Sequence, residues 1–255
     1  MLEIKNLCAG YGKREILHRV SLEIPAGAVT VIAGPNGCGK STLLKTIAGI
    51  QPKTAGTIIL DGMDLGAMPQ QELARQVAYL PQNRPVPEIT AERLVLHGRF
   101  PYLSYPRRYR ETDLKLARQA MDTMGILDLA DRSLKTLSGG QRQKVYIAMA
   151  LAQDTPVVML DEPTTFLDIA HQIQLMGEAR FLADAGKTVV LVLHDLSMAL
   201  ERGDHLVVMD RGQVLTQGRG EDVYHSGALD TAFGVRVCRA HTPEGWHYYC
   251  RENHF

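Results

Sequence analysis

Gly34-Pro35-Asn36-Gly37-Cys38-Gly39-Lys40-Ser41-Thr42 is the most informative stretch of this sequence. It fits Gly-x-x-x-x-Gly-Lys-Ser/Thr and lies between a continuously apolar run, residues 29–33, and a helical run, residues 41–49. Strand, glycine-rich loop and helix in that order make a phosphate-binding loop. The glycines let the backbone wrap closely, so N–H groups can face phosphate oxygens. The helix turns the positive end of its dipole toward the same anion. Lys40 can neutralise charge on the outer phosphates, and the Ser41 hydroxyl can ligate Mg2+.

A second apolar run, Val157-Val158-Met159-Leu160, ends in Asp161-Glu162. A buried strand would deliver Asp161 to its carboxyl end, where open α/β sheets bind ligands. Asp161 is expected to hold Mg2+ directly or through water, and Glu162 to orient or deprotonate an attacking water. Short apolar runs at 2–7, 20–24, 29–33, 57–60, 77–80, 157–160, 188–193 and 206–209 alternate with helical stretches, which predicts an α/β fold. The runs at 29–33, 157–160 and 188–193 are apolar throughout, as in strands buried on both faces of a parallel sheet. Val20, Leu22 and Ile24 alternate with Ser21 and Glu23, which suits a half-exposed strand.

Residues 84–135 show no strand pattern. A helix is predicted over 111–124, with Leu114, Ala117, Met121 and Met124 on one face and Gly125 as its stop. An inserted helical subdomain follows from this. After Gly220 the tail returns to strand and turn signals.

The 255 residues are 45% hydrophobic and 22% charged, with 28 Lys and Arg against 28 Asp and Glu. That balance argues against a polycation that coats nucleic acid. Val189-Val190-Leu191-Val192-Leu193 falls far short of the ~20 apolar residues of a spanning helix. Residues 1–10 carry no signal-peptide pattern, so the chain is expected in the cytosol with Cys8, Cys38, Cys238 and Cys250 reduced. No Cys-x-x-Cys pair offers zinc-site spacing. Cys38 lies beside Lys40 and before a helix N-terminus, which predicts a reactive thiolate; the alternative is an inert, covered thiol.

Leu137-Ser138-Gly139-Gly140-Gln141 precedes a helical run, residues 141–152. A hydroxyl and glycine N–H groups at a helix start make a second anion site. With this pentapeptide the chain resembles the ATP-binding cassette family of ATPases, over residues 1–220 and in the family's order. The resemblance implies a P-loop NTPase (RecA-like) core with an antiparallel β edge, residues 1–83 and 136–220. The helical subdomain would be 84–135, and 221–255 a C-terminal β-hairpin extension packed on the core. It implies ATP and Mg2+, bound by Tyr11 on the adenine, by Gly34, Pro35, Asn36, Gly37, Cys38, Gly39, Lys40, Ser41 and Thr42 on the phosphates, and by Ser41, Gln82 and Asp161 at the metal. Glu162, His194 and Gln82 would be catalytic. Asp168, in Phe166-Leu167-Asp168, resembles the family's D-loop aspartate. Ser138, Gly139, Gly140 and Gln141 would reach the ATP of a second copy, giving a head-to-tail homodimer.

Two classes of cassette compete: the transporter ATPase, and the soluble ABC-type ATPase acting on nucleic acid or the ribosome. Lys40 and Ser138 lie only 98 residues apart without heptads, which leaves no room for the coiled coil of chromosome-type members. Ribosome-associated members carry two cassettes, and this chain has one. Arg107-Arg108-Tyr109-Arg110 reads as a solvated rim. The transporter class is preferred. The text from Asp161 to Gln172 and Gly98-Arg99-Phe100-Pro101-Tyr102 are similar to importers of iron–siderophore, haem and cobalamin, although His97 departs from that pattern. The implied partners are transmembrane permease subunits and, indirectly, a periplasmic or surface substrate-binding protein, with no nucleic acid. The implied place is the cytoplasmic face of the cell membrane. Residues 83–109, with Leu94, Leu96, Phe100, Tyr102, Leu103 and Tyr105, are expected to receive a cytoplasmic helix of the permease.

In the tail, Thr242-Pro243-Glu244-Gly245 signals a turn. A three-residue hairpin loop pairs Thr242 with Trp246, Arg236 with Glu252 and Cys238 with Cys250. It packs the two thiols as small apolar groups without a catalytic role. A two-residue turn instead sets Tyr249 opposite Cys238 and separates the thiols.

Overall fold

The computed structural model describes residues 1–82, 84–164 and 168–252; Asn83 and the Thr165-Phe166-Leu167 text lie outside them. The first half of the chain forms β1 (Leu2–Tyr11), β2 (Arg14–Ile24), β3 (Val29–Ala33), α1 (Lys40–Ile47), β4 (Lys53–Leu60), β5 (Met63–Asp64), α2 (Gln70–Gln76), β6 (Val77–Leu80), α3 (Ala91–His97) and α4 (Glu111–Thr123). There follow α5 (Gly139–Ala152), β7 (Val157–Asp161), α6 (Ile169–Asp184), β8 (Thr188–Val192), α7 (Leu196–Arg202), β9 (His205–Asp210), β10 (Gln213–Gly218), α8 (Gly220–His225), α9 (Ala228–Phe233), β11 (Val235–Thr242) and β12 (Gly245–Glu252).

The strands form an antiparallel sheet, β2-β1-β4-β5, and a second sheet, β10-β9-β3-β8-β7-β6. The second is parallel from β9 to β6, with β10 antiparallel at its edge. The fold is α/β, as the alternating runs predict. Side chains alternate along each strand, so the apolar runs divide between two cores. Ile32, Met159, Val190, Val192 and Val207 face α1 and the antiparallel sheet. Val31, Val158, Leu160, Leu191 and Leu206 face the helical layer on the other side. Burial on both faces explains why these strands carry no polar alternation.

The stretch 84–135 is helical, and among the described residues its β pairing is the isolated bridge of Thr90 to Ser133. Its Leu94, Met121 and Leu134 belong to the same apolar cluster as Val158 and Leu191, so this segment shares a core with the sheet. The α4 helix ends where expected: Met124 is its C-cap and Gly125 follows at φ +60°. At the start of α4, the buried Asp113 carboxylate accepts from Arg110 N at 2.9 Å and from Arg99 Nε at 3.1 Å. Arg99 also donates to Ala152 O at 2.9 Å, tying α4 to the end of α5.

The tail departs from expectation twice. Residues 220–233 are the short helices α8 and α9, because Gly227 and Gly234 at left-handed φ bracket a single helical turn and a half. The hairpin β11–β12 closes through the two-residue turn Pro243-Glu244. Thr242 pairs with Gly245, Arg236 with Arg251, and Cys238 with Tyr249, so Cys238 and Cys250 sit on opposite faces of the ribbon. The three-residue register is therefore wrong. The observed register puts Val237 and Tyr248 on one face, both buried against the core. Burying such side chains is worth ~1.5–3 kcal/mol each, which outweighs the ~0.2–1 kcal/mol at stake in the opposed Arg236 and Arg251 charges. The thiols consequently do not pack together: Cys238 is half-buried and Cys250 exposed.

Candidate active site

The phosphate loop is shaped by glycines that run close to other backbone. At Gly34 a Cβ would meet Met209 O at 2.2 Å. Gly39, at φ +110°, starts α1 from a left-handed conformation, and a Cβ there would meet Leu17 at 2.9 Å. The first turn of α1 leaves the N–H groups of Lys40, Ser41 and Thr42 without intrahelical acceptors. Lys40 is buried with its ammonium folded onto the loop, donating to Gly34 O at 2.7 Å and Pro35 O at 3.0 Å. A buried cation held by loop carbonyls with no carboxylate partner among the described residues, beside unsatisfied amides, is a cradle for an anion.

Cys38 is buried beside Lys40, with its sulfur 4.0 Å from Nζ. Burial dominates over the lysine charge and pushes the thiol up from its ordinary value. The expectation of a reactive thiolate fails, and the covered thiol is what the fold makes.

Asp161, at the carboxyl end of β7, is 2% exposed. Ser41 Oγ donates to Asp161 Oδ1 at 3.0 Å and Tyr79 Oη to Oδ2 at 2.9 Å. Burial raises this carboxyl above its ordinary value, the two hydroxyls oppose that, and the Glu162 charge adds to it. A buried carboxylate facing a serine hydroxyl, with no ion-pair partner among the described residues, suits a hard divalent cation that takes oxygen ligands. The Tyr79 phenol is itself pushed well up, chiefly by burial and then by Asp161, so it remains a donor. No motif marks Tyr79; its one signal is a polar tip on β6, in parallel register beside β7 with Tyr79 opposite Met159.

Glu162 follows with φ +48°, a left-handed conformation for a non-glycine residue. The turn swings its carboxylate between Gln82 and His194. The Gln82 amide donates to Glu162 Oε2, and His194 Nε2 lies 2.8 Å from Oε1. The three residues named as catalytic thus converge. Gln82 is engaged by Glu162 rather than by the Ser41–Asp161 pair.

Tyr11 ends β1 opposite Arg14 and is exposed, as a stacking surface needs to be. Ser138 caps α5: its Oγ accepts from Gln141 N at 3.2 Å, and Gln141 Oε1 accepts from Ser138 N at 3.0 Å. Asp168 caps α6, accepting from His171 N at 2.9 Å with His171 Nδ1 at 2.7 Å. The backbone N–H of His171 is the main reason its carboxyl lies below the ordinary value. The His171 ring packs against Gly140, where a Cβ would come within 3.3 Å of Nε2. Among the described residues, no hydrogen bond joins Ser138, Gln141 or Asp168 to the loop at 34–42. Arg84 and Gln143, which no sequence motif singled out, link the Gln82 loop to α5.

Comparison with known proteins agrees with this geometry. The profile of the ABC transporter family matches residues 17–165. The chain is 41% identical over 234 residues to the ferric enterobactin transport ATP-binding protein of Escherichia coli (strain K12), covering 91% of this chain and 86% of that protein. Among solved structures, it superposes on a metal-chelate type ABC transporter in an inward-facing conformation with a TM-score of 0.85 and 26% identity, over 99% of this chain and 97% of that one. It also superposes on a dimeric, post-hydrolysis ATP-binding cassette bound to ADP and Pi with a TM-score of 0.74 and 29% identity, over 86% and 98% of the two chains. The family match alone spans more than half of the 255 residues, and the chain belongs to the ABC transporter family as an ATP-binding cassette.

Proposed function

We propose that this chain is the ATP-hydrolysing subunit of an importer for a metal chelate of the iron–siderophore, haem or cobalamin kind. The observation that carries the hydrolytic part is the Glu162 carboxylate, held between Gln82 and His194 one residue after the buried Asp161. In this reading residues 34–42 cradle the phosphates and Lys40 turns from its own carbonyls to the outer ones. Ser41 and Asp161, with Gln82, would hold Mg2+, which supplies charge neutralisation at the phosphates when bound. Glu162 accepts a proton from the attacking water, while His194 and Gln82 fix its two oxygens. Tyr11 offers its exposed ring to the adenine.

Ser138–Gln141 and Asp168 make no hydrogen bond to their own phosphate loop among the described residues, and in this reading a second copy arranged head to tail presents them to the nucleotide. No helix among the described residues is long and apolar enough to cross a membrane. In the importer reading, transport runs through separate permease subunits, with this chain at the cytoplasmic face of the membrane. The cargo class is supported by the relative that transports ferric enterobactin and by the metal-chelate type neighbour. Reconstitution with the permease and binding protein tests the whole reading. ATPase stimulated by a ferric siderophore, haem or cobalamin is the expected result; stimulation by none of these overturns the cargo class.

A further inference from the structure

The peptide beside Glu162 is held by hydrogen bonds that the roles above do not use. Arg84, two residues past Gln82, donates from Nε to Pro81 O at 2.7 Å and from Nη1 to Gln143 Oε1 at 2.9 Å. Gln143 lies on α5, three residues past Gly140, and is only 9% exposed. Its other end donates from Nε2 to Pro163 O at 2.7 Å. Pro163 directly follows Glu162. The Arg84 guanidinium also lies over the Tyr146 ring, 4.9 Å from its centroid, and the Tyr146 hydroxyl donates to Pro85 O.

Each link is specific to its chemistry. The amide carries its acceptor oxygen and its donor nitrogen on separate atoms of one tip, so Gln143 can accept from Arg84 and donate to Pro163 together. No carboxylate pairs with Arg84 among the described residues, so a carbonyl, an amide and a ring compensate its charge. Glu162 sits at φ +48°, a strained conformation that persists only where the surroundings over-determine it. The Gln143 bond to the next carbonyl is one such constraint.

We propose that Gln143 is a positioning residue for hydrolysis. With Arg84 it relays the position of the Gln82 loop to the backbone that aims Glu162, through the helix whose first turn would face the second copy's nucleotide. The inference rests on the reading of Glu162 as the base. Movement of Pro81 or Arg84 is then felt at once by α5 and by the turn at 162–163.

Steady-state MgATP hydrolysis by the purified full chain tests this with Gln143→Met, Arg84→Met and the double variant. Each single substitution lowers kcat about tenfold, the scale of one or two lost buried hydrogen bonds. The KM for ATP stays within about twofold, because the phosphate loop is untouched. The double variant falls no further than the worse single one, since both cut the same relay. Gln143→Glu, which keeps the acceptor but loses the donor, behaves like Gln143→Met, and Arg84→Lys recovers part of the rate. A folded Gln143→Met enzyme with wild-type kcat, or additive losses in the double variant, overturns the relay. If Gln143→Met does not fold by circular dichroism, Gln143→Glu with Arg84→Met completes the same cycle. Wild-type turnover in Glu162→Gln would instead sink the reading of the base, and is separable because it does not involve Gln143.

Discussion

His194 and Gln82 take different oxygens of the Glu162 carboxylate, His194 Nε2 at 2.8 Å from Oε1 and the Gln82 amide on Oε2. Both oxygens are thus oriented by neighbouring side chains. Glu162→Gln keeps the size and one acceptor oxygen but removes the base. Turnover is expected to fall ~10²-fold or more while ATP still binds, trapping an ATP-bound dimer visible by size-exclusion chromatography. Near wild-type hydrolysis would reject Glu162 as the base.

Asp161 sets function against stability. Burial raises its carboxyl, so the folded state resists ionisation more than the unfolded one. As pH rises past the ordinary carboxylate range, the unfolded chain releases this proton first, and stability is lost through that window and stays lost at neutral pH. Asp161→Asn removes the penalty. In Mg2+-free buffer at pH 7, its Tm should rise, while hydrolysis is abolished. The Tm gain should vanish below the carboxylate range, where both proteins are neutral at this position. An unchanged or lowered Tm at pH 7 contradicts the account.

Cys38 should react after Cys238 and Cys250. It is buried and its thiol is raised, whereas Cys238 is half-buried and Cys250 exposed. With iodoacetamide at pH 7, peptide mapping should show Cys238 and Cys250 modified well before Cys38. The Cys38 rate should climb only at pH above the ordinary thiol range. First modification at Cys38 would restore the reactive-thiolate expectation.

Which parts of this were legible in the sequence follows from how local each constraint is. The phosphate loop and the strand ending at Asp161 are contiguous text whose chemistry demands fixed spacing, and both stand where that text puts them. The convergence of Gln82 and His194 on Glu162 was legible only through family resemblance, because it joins residues 80 and 32 positions from Glu162. Tyr79, Arg84 and Gln143 carried no motif; what selects them is strand register and helix packing. The Cys38 error came from counting a nearby charge and ignoring burial. The hairpin error came from counting a charge pair, Arg236 with Glu252, and ignoring which face had to bury Val237 and Tyr248.

The expected permease-docking set divides by burial. Leu94, Leu96 and Leu103 are core, while Phe100 is 47% exposed and Tyr105 96% exposed. Phe100→Glu and Tyr105→Glu should leave basal ATPase and Tm unchanged but abolish stimulation by the reconstituted permease. Leu94→Ala should instead cost ~2–5 kcal/mol of stability, seen as a lower urea midpoint. Normal stimulation in both exposed-site variants would remove this surface from the docking reading.

The hairpin register can be tested by its own thiols. Val237, and not Cys238, stands opposite Cys250. Directly opposed residues in an antiparallel pair have Cα atoms ~4.5–5.5 Å apart, within the span a disulfide accepts. Cys238 and Cys250 point to opposite faces, which no disulfide geometry bridges without moving the backbone. Under mild oxidation the unmodified chain should therefore form no Cys238–Cys250 bond. The Val237→Cys variant should form a bond between its new thiol and Cys250, detected as a cross-linked tryptic peptide pair. The substitution sacrifices a buried valine, so the reduced variant should be less stable than the parent and the oxidised one should recover part of the loss. A Cys238–Cys250 cross-link in the unmodified chain, with no bond from the new thiol to Cys250 in the variant, would reinstate the three-residue loop.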